Sequence, residues 1–471
     1  MRKTIIILLA LMGNMWTFAQ KAETVESIIT NSRDTEWYPT QAEAWQKKVD
    51  ANPKDEWAWR NLFLASYYHE QRDGGIDNQD QSRTADVLRK MEATLPDSYV
   101  LNLSKSRFCL SKDDEAQKRG YFIHRAIDLM PEDAYGADVD FLATRLWSIA
   151  PEDESLNELF FQSYQRKSYP MRIMQCNNNM LQSMDARALY FANGDVVTIP
   201  MKMIQEALEE RQDVTVIPIS FFHSEPFMAA LYKKLDIKPL TIDINDYGKY
   251  GEDWYKYYEA DVIKYLMKET QRPTYFHPDI LKETKLNKDS IYNEGLLLKY
   301  SPVPYDNFAV ALHNVTEVYH LEYLAEPDLV YDNWEASRKM DMNCVALLQN
   351  LVTKLLDKDN NIQALRLYNI LDGCKERKMM AMYLNFKRPE VQEAFEKKFE
   401  EMQEALGKKY REWQSPESQK TLEKKYKEMQ KNLEKKYREW QSPENQEALK
   451  NKIEEAYKRY EKMVGEDAKE K

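Results

Sequence analysis

Three apolar runs in the middle of the chain give out onto residues able to do chemistry. "ALYFANGD" (188–195) ends on Asn193, Gly194 and Asp195, "DVTVIPISFFHSE" (213–225) on His223, Ser224 and Glu225, and "PTYFHPD" (273–279) on His277 and Asp279. In an open parallel sheet, ligands bind outside the carboxyl ends of the strands. If these runs are parallel strands, Asn193, Gly194, Asp195, Thr198, His223, His277 and Asp279 share one rim and are the candidate ligand-binding residues. Asp195 facing two imidazoles would suffice for an acid–base pair or a divalent cation. Gly194 permits a left-handed turn, and Thr198 precedes a helical run whose free N–H groups could accept an anion. Each residue also has a plainer role, and the plainer roles are preferred. Asn-Gly-Asp is an ordinary turn, and Asp195 can cap the backbone that follows. Ser224 and His223 are adjacent, so on a strand they point to opposite faces and make a poor dyad. No G-x-G-x-x-G, Walker A, G-x-S-x-G or H-E-x-x-H pattern occurs, and neither a cofactor nor a metal is expected.

These residues meet only if the runs around them form one sheet. "ARALYFA" (186–192), "DVTVIPISFF" (213–222), "PLTIDI" (239–244, leading to Asn245 and Asp246) and "PTYFH" (273–277) read as strands, with "GLLLKYSP" (295–302) as an edge strand. Between them "IPMKMIQEALEER" (199–211), "PFMAALYKKL" (226–235) and "WYKYYEADVIKYLMK" (254–268) read as helices. Continuous apolar strands alternating with helices predict a mainly parallel α/β sandwich of the doubly wound kind over 186–302. Trp254, Tyr255, Tyr257 and Tyr258 cluster on one of these helices, and Trp57 and Trp59 on an earlier one. Helix packing explains such rings more simply than a sugar-binding surface does.

Residues 22–180 read as helix after helix. Proline followed by acid recurs at the helix starts, in "NPKDEWAW" (52–59), "LPDSYVLN" (95–102), "MPEDAYGA" (130–137) and "APEDESLN" (150–157). Proline fixes φ for a first helical turn, and acids there oppose the positive end of the helix dipole. The unit from Pro96 to Pro131 spans 35 residues and resembles a tetratricopeptide repeat (TPR). The segment is therefore expected to be TPR-like helical hairpins, which stack into concave surfaces for protein partners. Residues 306–380 return to helix, with a TPR-like hairpin over 336–374 that turns at Asp359-Asn360-Asn361. Residues 388–468 form three helical repeats of period 27, each opening P-E-x-Q at Pro389, Pro416 and Pro443. In the middle repeat Leu422, Tyr426, Met429, Leu433, Tyr437 and Trp440 share one face. That stripe predicts a bundle of the three helices or self-association through them, with a coiled-coil-like character.

The middle of the chain also resembles a known family. "ALYFANGDVVTIPMKMIQEALEERQDVTVIPISFF" (188–222), "RPTYFHPDI…NEGLLLKYSP" (272–302) and "DNWEASRKM…LVTKLLDKDNNIQALRLYNIL" (332–371) are similar, in order, to the extracytoplasmic C-terminal region of multi-spanning Bacteroidetes membrane proteins described as glycosyltransferase-like (the DUF2723 group). The family's transferase function is attributed to its membrane-spanning half, and this chain lacks a counterpart of that half. The resemblance therefore implies a shared extracytoplasmic module, not glycosyl transfer. Val196-Val197-Thr198 stands where the family often has Asn-Asp-Thr, which weakens any inherited polar site.

Composition narrows the remaining classes. The 471 residues are 43% hydrophobic and 31% charged, so each domain can build a core. The net charge of −11, without a basic block, argues against a nucleic-acid partner. Few glycines (12) and many tyrosines (30) suit a mostly helical protein. The start, "MRKTIIILLALMGNMWTFAQK", reads as a signal peptide over 1–19 with cleavage after Ala19, predicting a periplasmic or secreted protein. Its apolar stretch is shorter than the roughly 20 residues a membrane span needs, and no other stretch is expected to cross a bilayer. Four cysteines remain: Cys109, Cys176, Cys344 and Cys374. Export permits disulfides. Cys344 and Cys374 fall on helices expected to be neighbours and are the pair best placed for one, against the alternative of four buried free thiols.

Two functional readings follow. The first is an exported, non-enzymatic TPR-like interaction or scaffold protein of the cell envelope, with a protein or peptide partner. The second is a small-ligand-binding or glycan-related enzyme that uses the strand-end crevice around Asp195, His223 and His277.

Overall fold

Local turn chemistry sets the helix starts of the N-terminal half. Asn52, Leu95 and Ala150 each accept a hydrogen bond from the backbone N–H three residues on (3.1, 3.4 and 3.0 Å), which makes Pro53, Pro96 and Pro151 the second residue of a β-turn. The prolines therefore stand before the helices and not in their first turn, a correction to the sequence reading. Capping falls instead to side chains. Asp55 accepts from the Ala58 N–H at 3.0 Å, and Ser98 from the Leu101 N–H at 3.3 Å.

The computed structural model describes residues 21–28, 31–72, 81–108, 115–325, 335–358 and 360–374, together with Lys397, Glu400, Glu401, Glu404, Lys408 and Lys431. The signal peptide expected at 1–19, Cys109, Asp359 and almost all of the 27-residue repeats thus lie outside the described residues. Two compact units divide the chain: Met1–Leu355 with Ile362–Lys387, and Leu356–Asn361 with Arg388–Lys471. The six described residues between 397 and 431 are helical and exposed.

Fifteen α-helices and a small mixed sheet occur among the described residues, so the chain is mostly helical with an α-plus-β element. Eight helices come first: α1 (Trp37–Ala51), α2 (Glu56–Arg72), α3 (Arg83–Thr94), α4 (Tyr99–Arg107), α5 (Glu115–Asp128), α6 (Gly136–Ile149), α7 (Leu156–Gln165) and α8 (Met171–Gln182). Helices next to one another in sequence pack together, α1 on α2, α4 on α5 and α6 on α7. Tyr38, Trp45, Trp59, Leu62, Phe63, Leu88 and Met91 fill the first core, and each large apolar side chain so buried contributes about 1.5–3 kcal/mol. The starts of α2, α4 and α6 come together around a groove of about 920 Å³ lined by Trp57, Arg60, Tyr99, Tyr135 and Asp138. The turns at Pro53, Pro96 and Pro131 thus meet at one end of the helical array, while the turn at Pro151 follows the opposite end of α6.

The sheet follows: β1 (Leu189–Ala192), α9 (Asp195–Ala207), β2 (Thr215–Pro218), α10 (Glu225–Leu235), α11 (Trp254–Thr270), β3 (Thr274–Phe276), α12 (Ile280–Glu283), β4 (Ile291–Asn293) and β5 (Leu298–Tyr300). Strand order is β2-β1-β3-β5-β4. β1 pairs in parallel with β2 (Tyr190 opposite Val216) and with β3 (Phe191 opposite Phe276), while β5 runs antiparallel to β3 and β4. Two of four pairings are parallel, so the sheet is mixed, where the sequence predicted a mainly parallel one. Every residue of β1, β2 and β3 is buried, as continuous apolar strands require. Phe191 and Phe276 stack across the shared ladder at 5.7 Å.

The strand expected at 239–244 is absent. Ile244 is 48% exposed and opens a 3₁₀ stretch, Ile244–Asp253, that carries Asn245 and Asp246. The Asp243 carboxylate accepts from the Asn245 backbone and side-chain N–H groups (2.9 and 2.8 Å), and this local turn displaces strand pairing. Helices α13 (Asn307–His313), α14 (Glu335–Asp357) and α15 (Asn361–Gly373) complete the described chain; Leu348, Val352, Ala364 and Leu367 are buried along the last two.

Candidate functional site

The carboxyl ends of β1, β2 and β3 lie at one edge of the sheet, because the three strands are mutually parallel in register. The predicted rim residues nevertheless fall into two separate cavities. Asp195 and His223 line one of about 590 Å³, and His277 and Asp279 line another of about 490 Å³. Asn193, Gly194 and Thr198 line neither. Among the described residues, no group of three His, Cys, Asp or Glu side chains is placed to hold a metal ion.

Thr198 does not precede its helix. Gly194 adopts φ +96°, which turns the chain so that α9 begins at Asp195. Thr198 then lies inside the first turns, 1% exposed, and its hydroxyl donates to the Gly194 carbonyl at 3.1 Å. Asp195 is the first residue of α9, and it lines the larger cavity.

The two histidines have different partners. Nε2 of His223 lies 3.5 Å from the carboxylate of Glu259, a buried residue of α11, and the ring is flanked by Trp254 and Tyr258 at 5.7 and 5.4 Å. Nδ1 of His277 lies 3.5 Å from Asp279 and accepts from the Asp279 N–H at 3.4 Å. Burial pushes the His277 pKa down, with Asp279 opposing it. Ser224 caps α10 and donates to the Ser148 carbonyl, which occupies its hydroxyl.

The larger of the two cavities holds chemistry that the strand-end argument missed. Its lining adds Arg107 from the end of α4, Arg119 from α5, and Asp140 and Arg145 from α6. Along α6 the lining residues are Ala137, Asp140, Phe141, Thr144, Arg145 and Ser148, spaced 3, 1, 3, 1 and 3, which makes one helical face. Val139, Leu142, Ala143 and Leu146 are fully buried elsewhere on the helix. A polar stripe at helical spacing opposite an apolar one was the signal in the sequence. It resembles any solvated helix face, so spacing alone does not single it out.

Burial sets the electrostatics. Asp140 is half-buried as a residue, but its Oδ1 is out of contact with solvent and has no hydrogen-bond partner among the described residues. Its Oδ2 accepts from the Tyr169 hydroxyl at 3.1 Å. Desolvation first, and the neighbouring Asp195 carboxylate second, push the Asp140 pKa up to about 8. Burial raises Asp195 as well, with Arg145 pulling against it. Arg107 stacks on Phe141, its guanidinium carbon 3.6 Å from the ring centroid, and reaches Asp138 at 3.4 Å. Its Nε is buried without a hydrogen-bond partner among the described residues. At neutral pH the cavity thus presents three guanidinium groups, an Asp140 carboxyl held largely protonated, and an Asp195 carboxyl that burial shifts upward. Such a set can bind an anion through charge-assisted hydrogen bonds, with neutral Asp140 as an added donor.

No protein-family model and no curated protein matches this chain.

Proposed function

We propose that the protein is a binding protein whose cavity between the helical array and the sheet edge takes a small anionic ligand. One observation carries this reading: Arg107, Arg119 and Arg145 converge with Asp140 and Asp195 on one cavity of about 590 Å³. Both carboxyls are biased toward their neutral forms, so the local charge is positive in a chain of net charge −11. The test is calorimetric titration with sodium glucuronate and inorganic phosphate, against uncharged glucose. An anionic probe should bind and glucose should not, and Arg145→Gln should weaken binding about tenfold, the scale of one lost charge-assisted contact. Equal indifference to all three probes overturns the reading.

The wider setting is that of an exported envelope protein. The signal-like start and the resemblance of 188–371 to an extracytoplasmic module support it, and the succession of paired helices supports a TPR-like array that also docks a protein or peptide. No described helix is long and apolar enough to cross a membrane. A second reading, an acid–base enzyme acting on glycans, draws on the two carboxyls of raised pKa in one cavity. Hydrolysis of an aryl glycoside that is lost in both Asp140→Asn and Asp195→Asn would favour it over simple binding.

A further inference from the structure

Cys176 on α8 and Cys344 on α14 lie 168 residues apart in sequence, yet their sulfurs are 4.0 Å apart in the interior. Both side chains are buried, at 2% and 1% exposure. The approach belongs to a longer seam between the two helices. Arg172, one turn before Cys176, pairs at 2.7 Å with Asp341, three residues before Cys344, and both charged groups are buried. Asn179, three residues after Cys176, exchanges two 2.9 Å hydrogen bonds with the His320 backbone. The Tyr323 hydroxyl, from the segment that follows His320, contacts the Cys344 sulfur at 3.3 Å. The Arg172–Asp341 pair thus ties the two helices on one side of the thiols, and on the other side Asn179 ties α8 to the segment that carries Tyr323.

The pairing expected from the sequence differs. Cys374, just past the end of α15, donates its thiol to the Ile370 carbonyl at 3.2 Å, whereas the Cys344 sulfur approaches that of Cys176. We propose that Cys176 and Cys344 form an intrachain disulfide that staples α8 to α14 under oxidising conditions. A disulfide needs its sulfurs at about 2.05 Å, so bond formation must draw the 4.0 Å pair about 2 Å closer. The oxidant is a small disulfide or a thiol–disulfide oxidase. One cysteine thiolate attacks a sulfur of the oxidant and expels one thiol. The second thiolate then attacks the mixed disulfide and expels the other, so two protein thiols lose two electrons and two protons while one disulfide is reduced to two thiols. Burial makes both thiols slow to react once the chain has folded, so the bond closes as α8 and α14 come together.

The full chain, reduced and unfolded, is refolded in mixed oxidised and reduced glutathione, alkylated, and digested without reductant. The expected result is one linked peptide pair containing Cys176 and Cys344, and two alkylatable thiols where the reduced chain has four. The oxidised protein should also unfold at higher denaturant than the reduced one, a difference that vanishes in Cys176→Ser/Cys344→Ser. A Cys344–Cys374 linkage, any bond to Cys109, a persistent glutathione adduct, or four free thiols overturns the proposal. Peptide mapping of the wild-type chain decides the matter even if the serine variant fails to fold.

Discussion

Arg60 and Asp138 meet through two parallel hydrogen bonds, 2.6 and 2.9 Å long, across 78 residues of sequence. Both side chains are at most 5% exposed. The guanidinium also donates to the Val25 carbonyl at 2.9 Å and lies over Trp57 and Tyr135, at 4.9 and 4.6 Å from their ring centroids. Asp138 in turn reaches Arg107, which lines the proposed anion-binding cavity, while Arg60 and Asp138 line the groove at the helix starts. One buried carboxylate thus stands in contact with groups of both cavities.

Breaking such a pair from one side leaves an uncompensated charge in the interior. Arg60→Ala and Asp138→Ala should each destabilise the fold by about 3–5 kcal/mol, read as a shift in the urea unfolding midpoint. An apolar double replacement, Arg60→Met with Asp138→Leu, should cost less than either single change, because both charges of the pair are then removed and only the longer Arg107 contact is lost. A double variant worse than both singles would show that the pair contributes net stability.

Asp140 makes stability depend on pH with a defined sign. Its carboxyl titrates near 3.8 when unfolded and at about 8 when folded. Between those values the native chain holds a proton that the unfolded chain has released. The contribution is full below the lower value and is lost as pH rises through the upper one. Stability should therefore fall from about pH 5 to about pH 8.5, and Asp140→Asn, which cannot titrate, should flatten the slope. Urea midpoints at those two pH values test this. Asp195, also raised by burial, should retain a smaller slope of the same sign.

The same proton couples to the proposed ligand. A bound anion favours the neutral form of Asp140, so glucuronate should bind more weakly as pH passes about 8, and Asp140→Asn should bind it with little pH dependence. Calorimetric titrations on either side of that pH measure the effect. Tighter binding at the higher pH would mean that the carboxylate form of Asp140 is the one that holds the ligand.

Much of the scaffold was legible because helical periodicity is local. The predicted helix at 254–268 is observed at Trp254–Thr270, and that at 226–235 at Glu225–Leu235. The strand ending at Asn193-Gly194-Asp195 was legible from its apolar run. Pairing was harder to read. "PLTIDI" has strand-like alternation, but the Asp243 turn captures it, and β4 at Ile291–Asn293 carried too few apolar residues to be noticed. The site was half legible. Asp195 and His223 do share a cavity, but Arg107, Arg119, Asp140 and Arg145 come from helices 50 to 120 residues away, and only tertiary packing brings them there. His277 was grouped with them because it ends a parallel strand, yet it faces a different cavity.

Two glycines separate backbone conformation from crowding. Gly194 and Gly295 have φ of +96° and +115°. A Cβ at Gly194 would meet nothing within 4 Å, whereas one at Gly295 would stand 2.9 Å from the Tyr319 hydroxyl. That hydroxyl also receives the Leu296 N–H at 3.3 Å. Gly194→Ala should cost about 1–3 kcal/mol, for the positive-φ backbone alone. Gly295→Ala should cost clearly more, because Tyr319 must move or lose its hydrogen bond. Equal costs in urea unfolding would show that the Tyr319 contact relaxes freely.

A proline inside α9 explains an asparagine inside α8. Pro200 lies in Asp195–Ala207 and has no N–H to offer the carbonyl of Val196, four residues earlier. The side chain of Asn177, fully buried in α8, donates to that carbonyl at 2.9 Å and to the Ile173 carbonyl at 2.8 Å. The residue before the proposed Asp195 site is Gly194 and the one after it is Val196, so this bond steadies the turn that presents the carboxyl. Asn177→Ala should strand the Val196 carbonyl at a cost of about 1–3 kcal/mol. In a Pro200→Ala background the helix regains an N–H aimed at Val196, and the same Asn177→Ala change should cost markedly less. A four-protein double-mutant cycle in urea measures the coupling. Additive costs would mean that Asn177 acts through the rest of the α8 packing, and that the proline and the asparagine share a neighbourhood but no hydrogen-bond debt.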